Sequence, residues 1–163
     1  MIFTSIRQVR IFLNRGFDCG IEELNAFLKN YAYKNDLNGI GRTYVAFEND
    51  VIYGFITLCT ASINFKEAPE IVTGSLPKYP IPCIKIARLA VNKNNQGQHI
   101  GSFLLQNAFM KILQASEIAG IYLVLVDAKE NAIGFYEHYG FKPLKDATMT
   151  YYLPVKTIEL ASK

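Results

Sequence analysis

The most informative part of the sequence is AVNKNNQGQHIGS, residues 90–102. The apolar and β-branched run from Cys83 to Val91 predicts a strand, and the apolar residues that follow the segment recur at helical spacing. A glycine-containing turn that opens a helix presents backbone N–H groups without intrahelical partners, and the helix dipole adds positive potential there. The segment therefore predicts a site for a phosphate-bearing anion.

Two familiar phosphate-binding motifs are excluded. The chain has no G-x-x-x-x-G-K-[ST] sequence, so the segment is not a Walker A loop. It also lacks G-x-G-x-x-G, and the elements before it predict a hairpin and not a βαβ unit, which excludes a dinucleotide fingerprint. Taken alone, the segment is also compatible with an ordinary tight turn.

The rest of the chain alternates predicted strands and helices, which indicates an α/β (α+β layered) domain with a mixed sheet and helices on both faces. We expect a helix capped by Asp18 that runs to about Leu37, and later a helix that Gly120 ends. The other predicted elements are a hairpin of 43–47 and 51–60, an irregular proline-rich stretch over 64–82 that includes Pro69, strands at 121–126 and 148–155, and a short helix over 131–139 that stops at Gly140.

Composition limits the class of protein. The chain has 163 residues, 50% of them hydrophobic and 19% charged, with 17 Lys and Arg against 14 Asp and Glu for a net charge of +3. We expect one compact domain over residues 1–163 and exclude disordered, collagen-like and coiled-coil classes. The N-terminus has no signal-peptide pattern, and no run approaches the roughly 20 apolar residues of a membrane helix. We therefore expect a cytoplasmic protein with no membrane association. Three widely spaced cysteines predict neither a disulfide framework nor a metal site.

A second motif, FYEHYGF at residues 135–141, completes the pattern. Together the two motifs resemble those of the GNAT acyltransferases: Gln96 to Gly101 matches their pyrophosphate loop, Q/R-x-x-G-x-G/A, and Tyr136 to Phe141 matches their late Y-x-x-x-G-F. Within that superfamily the chain is similar to the GNAT toxins of toxin–antitoxin modules, in FDCGIEELN at residues 17–25, ARLAV at 87–91 and VDAK at 126–129. This resemblance covers about residues 15 to 155.

The resemblance implies the GNAT fold and acetyl-CoA as cosubstrate. It implies that the backbones of Leu89, Ala90 and Val91 pair with the pantetheine arm, and that Tyr136 protonates the departing thiolate. His99 stands where the family has the central glycine of the loop, so its backbone either keeps φ negative or is strained. Lys129 stands where many members have asparagine, and that contact is not transferred. It also implies that the backbone amides from Gln98 to Ser102 hold the pyrophosphate. The implied cofactor-binding residues of the loop are Gln96, Gly97, Gln98, His99, Ile100, Gly101 and Ser102.

No general base is evident, because His138 is two residues from Tyr136 on a helix and His99 belongs to the loop. This favours an acceptor amine with a low pKa, such as the α-amino group of an esterified amino acid, over a lysine side chain whose pKa is near 10.4. The toxin branch implies aminoacyl-tRNA as acceptor, a small ribbon-helix-helix antitoxin and a homodimer. Arg42 and Arg88 are expected to hold tRNA phosphates, or else to form structural ion pairs, and further candidates are Lys29, Lys34, Lys85 and Lys93.

Two other functions stay open. A GNAT enzyme with the same tyrosine can instead acetylate a small amine, an antibiotic or a peptide N-terminus. A non-catalytic module can use the same fold to bind acyl-CoA or RNA.

Overall fold

The computed structural model describes residues 1–68, 74, 76–144, 147 and 149–163. The strands are β1 Ile2–Ser5, β2 Arg42–Glu48, β3 Val51–Ile63, β4 Ile81–Val91, β5 Leu123–Asp127, β6 Lys142–Pro143 and β7 Thr150–Pro154. The α-helices are α1 Glu22–Ala26, α2 Ala32–Leu37, α3 Ile100–Ser116, α4 Ile133–His138 and α5 Val155–Ala161. A π-helical turn, Phe27–Tyr31, joins α1 to α2, and 3₁₀ segments occur at Ile6–Phe12, Phe65–Glu67, Lys93–Asn95 and Glu130–Ala132.

The strands form one open sheet in the order β1-β2-β3-β4-β5-β7-β6. The β1–β2, β2–β3, β5–β7 and β6–β7 pairs are antiparallel, whereas β4 and β5 run parallel. The predicted α/β class with a mixed sheet is therefore confirmed. By its internal contacts the chain divides into two compact units, one of residues Met1–Cys59 and Ala87–Met110 and the other of Thr60–Ile86 and Lys111–Lys163. The expectation of a single domain over residues 1–163 stays a prediction.

The first unit contains the predicted hairpin of β2 and β3. Asn49 and Asp50 form its two-residue turn with φ of 51° and 63°, the double left-handed conformation of a type I′ turn. Beneath the hairpin lies a core of aliphatic and aromatic side chains in which Phe55 and Val45 are fully buried. The 3₁₀ segment Ile6–Phe12, which the sequence analysis did not predict, closes this core with Ile6 and Val9.

The predicted first helix is present, but its start differs. Ile21 occupies the N-cap position with no side-chain hydrogen bond, so the prediction that Asp18 caps the helix is wrong. The Asp18 carboxylate instead accepts hydrogen bonds from Gly20 N at 2.8 Å and Asn25 Nδ2 at 2.9 Å. These bonds place Asp18 in the preceding turn. The helical chain continues to Leu37, as expected, with the π-turn inserted.

The second unit contains β5, flanked by β4 and β7. The parallel ladder joins Cys83–Ile86 to Leu123–Val126, and all four of these β5 residues are buried. The strand predicted at 121–126 thus begins two residues later, and α3 ends at Ser116, before the expected stop at Gly120. Of the irregular stretch predicted over 64–82, residues 81 and 82 belong to β4, and Pro69 lies outside the described residues, as does Thr148 of the predicted last strand.

Candidate functional site

The turn between β4 and α3 belongs to the first unit, where backbone and side-chain hydrogen bonds join it to β3 and to the segment before α1. Asn92 N donates to Tyr53 O at 2.8 Å, and Lys93 N donates to Asp18 O at 2.8 Å. Lys93 Nζ also pairs with Asp18 Oδ2 at 2.8 Å. Asn92 Oδ1 accepts from Asn94 N, which opens the short 3₁₀ turn of Lys93–Asn95. These contacts fix where the following loop begins.

Gln96 points its side chain back into the turn. Its Nε2 donates to Val91 O at 3.2 Å and to Cys19 O at 3.3 Å, which links the end of β4 to the segment before α1. The amide therefore positions the loop, and its donor hydrogens are engaged by carbonyl oxygens. This separates Gln96 from the other predicted pyrophosphate residues, whose expected contribution is backbone N–H.

The loop then turns through two residues with left-handed backbones. Gly97 has φ of 81° and His99 has φ of 64°. Of the two expectations for His99, the structure shows the strained one, since left-handed backbone is costly for a residue with a Cβ. His99 reproduces the conformation that a glycine would adopt without cost. Its side chain is exposed.

Helix α3 begins directly after this turn, and its first N–H groups have no intrahelical partner. The first i to i−4 bond runs from Phe103 N to His99 O at 3.0 Å, so the N–H groups of Ile100, Gly101 and Ser102 precede it. The buried Ile100 anchors this end of the helix, at 5% exposure. The 17-residue α3 thus points its positive end at the loop, as an anion site requires.

The end of β4 lies beside the loop. The ladder with β5 covers Cys83–Ile86, and residues 87–91 are not part of it. Side chains of Leu89 and Val91 are half-buried and that of Ala90 is buried. Gly54 on β3 makes this packing possible, because a Cβ there would lie 2.8 Å from Ala90 O and 2.9 Å from Leu104 Cδ1. Glycine at position 54 therefore lets α3 and the end of β4 lie close to β3.

Tyr136 lies in α4, in the second unit, and is 5% exposed. Its helix ends in a Schellman motif: Gly140 takes φ of 93°, Gly140 N donates to Glu137 O at 3.0 Å, and Phe141 N donates to Tyr136 O at 3.2 Å. The ring of Phe135 packs edge-on against Tyr136 with centroids 5.1 Å apart. The predicted stop at Gly140 is confirmed.

Aromatic rings surround the Tyr136 ring, but its hydroxyl group is not fully buried. It makes no hydrogen bond to any described residue, and within that part of the chain no fully buried side-chain oxygen or nitrogen lacks a partner. The hydroxyl oxygen therefore keeps contact with solvent while the ring is enclosed. Burial raises the pKa of Tyr136 well above the ordinary phenol value. The group holds its proton at neutral pH and is available to an incoming ligand atom.

Comparison with known families decides the assignment. The family described as acetyltransferase (GNAT) domain matches residues 39–143. The chain belongs to the GNAT acetyltransferase family. The matched range contains both the β4–α3 loop and the Tyr136 helix end.

Individual GNAT relatives are toxins. The tRNA-acetylating toxin of Mycobacterium tuberculosis (strain ATCC 25618 / H37Rv) is 33% identical over 127 residues, covering 77% of this chain and 76% of the relative. The structure of AtaT complexed with acetyl-methionyl-tRNAfMet has a TM-score of 0.85 at 32% identity, covering 93% of this chain and 92% of that one. A mutant AtaT toxin bound to the C-terminus of the antitoxin AtaR and acetyl-CoA has a TM-score of 0.77 at 30% identity, covering 93% and 90%.

Three basic residues predicted to hold tRNA are engaged by carboxylates. Arg42 Nη1 pairs with the buried Asp36 at 3.2 Å, Lys85 Nζ pairs with Asp127 at 2.6 Å, and Lys93 pairs with Asp18. The ion pairs restrain each side chain. Arg42, with 53% of its side chain exposed, and Lys93, with 55%, still present donors to solvent.

Arg88 is held differently. Its guanidinium lies over the ring of Phe27 at 3.7 Å from the centroid, and the residue is half-buried. Across the described ranges it has no carboxylate partner. A cation–π contact supplies part of the stabilisation that a half-buried cation needs, and an anionic ligand would supply more. Lys29 and Lys34 are exposed and form no ion pair with the described residues.

Sequence reasoning missed a cleft in the first unit. It has a volume of about 430 Å³ and lies between the N-terminal segment and the first helix. Its polar lining consists of Asn14, Asp18, Glu22, Asn25, Lys29 and Asn30. No periodicity in the sequence indicates this cleft, and Lys29 is the one predicted tRNA-binding residue on its wall.

None of the helices in the described ranges has the length and apolar character needed to traverse a bilayer. The described residues also contain no cluster of three or more His, Cys, Asp or Glu side chains arranged as metal ligands.

Proposed function

We propose that this GNAT protein transfers an acetyl group from acetyl-CoA to the α-amino group of aminoacyl-tRNA and so acts as the toxin of a toxin–antitoxin module. The observation that carries the reaction is the Tyr136 hydroxyl, which is protonated, has no hydrogen-bond partner among the described residues and is open to a ligand. The tRNA-acetylating relative and the tRNA-bound AtaT structure support the acceptor.

The residues of the first unit fit acetyl-CoA. The unpaired N–H groups of Ile100, Gly101 and Ser102, at the positive end of α3, match a pyrophosphate. The backbone of Leu89, Ala90 and Val91, outside the β5 ladder, offers an edge to the pantetheine amides. Acetyl-CoA supplies an activated thioester. Gln96 holds the loop in place, and Gly97 and His99 set its turn.

The chain's own contribution to the chemistry is a proton. Attack by the amine nitrogen forms a C–N bond and breaks the C–S bond, so that the sulfur leaves with the electron pair. Tyr136 donates its phenolic proton to that sulfur, and its raised pKa keeps the proton available at every physiological pH. The attacking nitrogen loses a proton to solvent as the amide forms, and the phenolate is re-protonated from solvent, which the partly accessible hydroxyl allows.

The acceptor must arrive as a free amine. Within the described residues, the rings that pack against Tyr136 are those of Phe135 and Phe141, and neither is a histidine. An α-amino group with a pKa near or below 8 is substantially unprotonated at neutral pH, whereas a lysine amine is not. The amine of an aminoacyl ester therefore suits a site whose proposed catalytic group is the general acid Tyr136 and which has no evident general base.

Recognition of the tRNA requires cations. We propose Arg88, whose guanidinium has no carboxylate partner among the described residues, as the first contact for a backbone phosphate near the acceptor end. Arg42, Lys93 and Lys85 contribute through the donors that their ion pairs leave exposed, and Lys29 and Lys34 contribute as mobile surface charges.

Partners and location follow from the same proposal. The antitoxin-bound AtaT relative supports neutralisation by a small antitoxin, which we propose to be of the ribbon-helix-helix type. We propose a homodimer that acts in the cytoplasm, where aminoacyl-tRNA is found.

Labelled acetyl-CoA offered with charged or deacylated tRNA tests the proposal. We expect the label on charged tRNA alone. Labelling of a small amine or a peptide N-terminus, with charged tRNA unlabelled, would favour the second enzymatic function. An absence of acetyl-CoA affinity in calorimetry would favour a binding module.

A further inference from the structure

We infer that the N-terminal 3₁₀ segment and the start of β2 together supply a preorganised binding face for an RNA phosphate backbone, made of Arg7, Arg10 and Arg42 and called here the arginine face. The inference deepens the proposed function, on which it rests, by assigning where the tRNA is held. Arg7 and Arg10 precede every segment that carries the family motifs.

A single buried carboxylate fixes two members of the arginine face. Asp36 is 1% exposed, and its Oδ1 accepts from Arg7 Nε at 2.6 Å and from Arg42 Nη1 at 3.2 Å. Arg7 Nη2 also donates to Asp36 O at 2.9 Å, and Thr43 N donates to Asp36 Oδ2 at 3.0 Å. Because both guanidinium groups contact the same oxygen, they are held next to each other.

This cluster carries a surplus of positive charge. Two guanidinium groups share one carboxylate, and their side chains are 42% and 53% exposed. Each guanidinium has five N–H donors. Arg7 donates to Asp36 through Nε and Nη2, and Arg42 donates through Nη1, so both groups keep further donors. Both side chains are partly exposed, and the planar fork of a guanidinium matches phosphate oxygens.

Arg10 extends the face by one turn. Its guanidinium lies 4.8 Å from the centroid of the Tyr33 ring, and within the described residues it forms no ion pair. Arg7 and Arg10 are three residues apart on the 3₁₀ segment, and their partners Asp36 and Tyr33 are three residues apart on α2. The segment is kinked at Val9, between the two arginines, whereas Tyr33 and Asp36 share one face of α2, so the two contacts line up along that face of α2.

Two buried side chains hold the 3₁₀ segment against the core of the first unit. Ile6 and Val9 are 0% and 2% exposed, so the segment cannot lift away without opening the core. The arginines that flank these residues thus pay little conformational entropy on binding a ligand. Three guanidinium groups near one another, one of them beside the Tyr33 ring, suit an RNA backbone, whose phosphates follow one another along the chain and each accept paired N–H donors.

Binding of fluorescent deacylated tRNA, measured by anisotropy over a salt series, tests the arginine face. We expect Arg10→Gln to weaken binding about fivefold and to reduce the slope of log K against log salt by about 1. Arg7→Gln with Arg10→Gln should weaken it further. The matched control is Lys66→Gln with Lys78→Gln, which removes two exposed charges from the second unit.

Each outcome decides the inference. Arg10→Gln leaves the Asp36 cluster intact, so it reports on the face even if the double variant is unstable. Unchanged tRNA affinity in Arg10→Gln, or an equal loss in the lysine control, would overturn the inference, as would loss of binding to an acidic antitoxin peptide with tRNA binding retained. Failure of wild-type protein to acetylate charged tRNA would instead refute the proposed function and leave this binding result standing. With active enzyme, we expect KM for charged tRNA to rise while kcat stays unchanged.

Discussion

The ring of Phe141 packs edge-on against the ring of Tyr136, with centroids 5.4 Å apart and planes at 73°. The Schellman bonds around Gly140 create this contact, since they reverse the chain after α4 and bring the residue after the glycine back onto the last turn. The spacing Tyr-x-x-x-Gly-Phe is therefore a structural unit. It encloses the tyrosine ring and leaves the hydroxyl at the margin.

Replacing Gly140 by alanine should disrupt this unit. At φ of 93° an alanine is strained, and we expect a loss of about 1 to 2 kcal/mol in the free energy of unfolding together with reduced activity. Gly134→Ala is the matched control, because its Cβ would meet no atom within 4 Å and alanine favours the helix. Denaturant unfolding checks both, and equal effects of the two substitutions would contradict the role given to Gly140.

A substitution at Gly54 tests the packing of β3 against the end of β4, whose backbone is proposed to bind the pantetheine arm. We expect Gly54→Ala to cost about 1 to 3 kcal/mol, because the new Cβ would lie 2.8 Å from the Ala90 carbonyl oxygen, and to weaken acetyl-CoA binding. Gly120→Ala, with no atom within 4 Å, should change neither property. Thermal unfolding and calorimetry measure the two effects. Wild-type stability in Gly54→Ala would show that β3 and β4 separate easily.

His99 tests the strained loop. We expect His99→Gly to keep the fold and to bind acetyl-CoA at least as tightly, because glycine adopts φ of 64° without strain and removes a side chain beside the helix start. Gln98→Ala, in the same loop but without a left-handed backbone, serves as control. A markedly lower affinity of His99→Gly in calorimetry would mean that the imidazole itself contacts the cofactor.

The ion pair and hydrogen bonds of Asp18 predict that the stability of the fold decreases in acid. The hydrogen bond from Lys93, followed by those from Gly20 and Asn25, holds the pKa of Asp18 well below its usual range. The ionised group therefore stabilises the fold above the unfolded value of about 4, and this contribution disappears as the pH falls through the lower folded value. Comparing the Tm of wild type and Asp18→Asn from pH 7 to 2 checks this. The difference should be largest at neutral pH and shrink in acid, and a difference that stays constant over this range would contradict the prediction.

Elements with local turn signals were predictable. Asn49 and Asp50 mark the hairpin, and Gly140 marks the end of α4, because left-handed backbones favour these residue types. Family motifs located the loop and Tyr136. Contacts between distant residues were not predictable in this way. Asp18 looked like a helix cap, but Lys93, 75 positions later, determines its place.

The N-terminal region shows the same limit. The edge strand β1 and the Ile6–Phe12 segment are too short to produce a clear periodicity, and their stability depends on burial of Ile6 and Val9 against later parts of the chain. Arg7 acquires its partner Asp36 only in the fold. Of the arginine face, the sequence therefore predicted Arg42 alone, and the grouping of Arg7 and Arg10 with it required the fold.

The most direct test of the central claim is single-turnover acetylation of charged tRNA by wild type and Tyr136→Phe between pH 7 and 10.5. We expect the substitution to slow acetyl transfer by about 100-fold or more with acetyl-CoA affinity unchanged, since a general acid contributes on that scale. The wild-type rate should show no alkaline fall near pH 10, because burial raises the pKa of Tyr136 above that of an ordinary phenol. A Tyr136→Phe rate within about threefold of wild type would contradict the account.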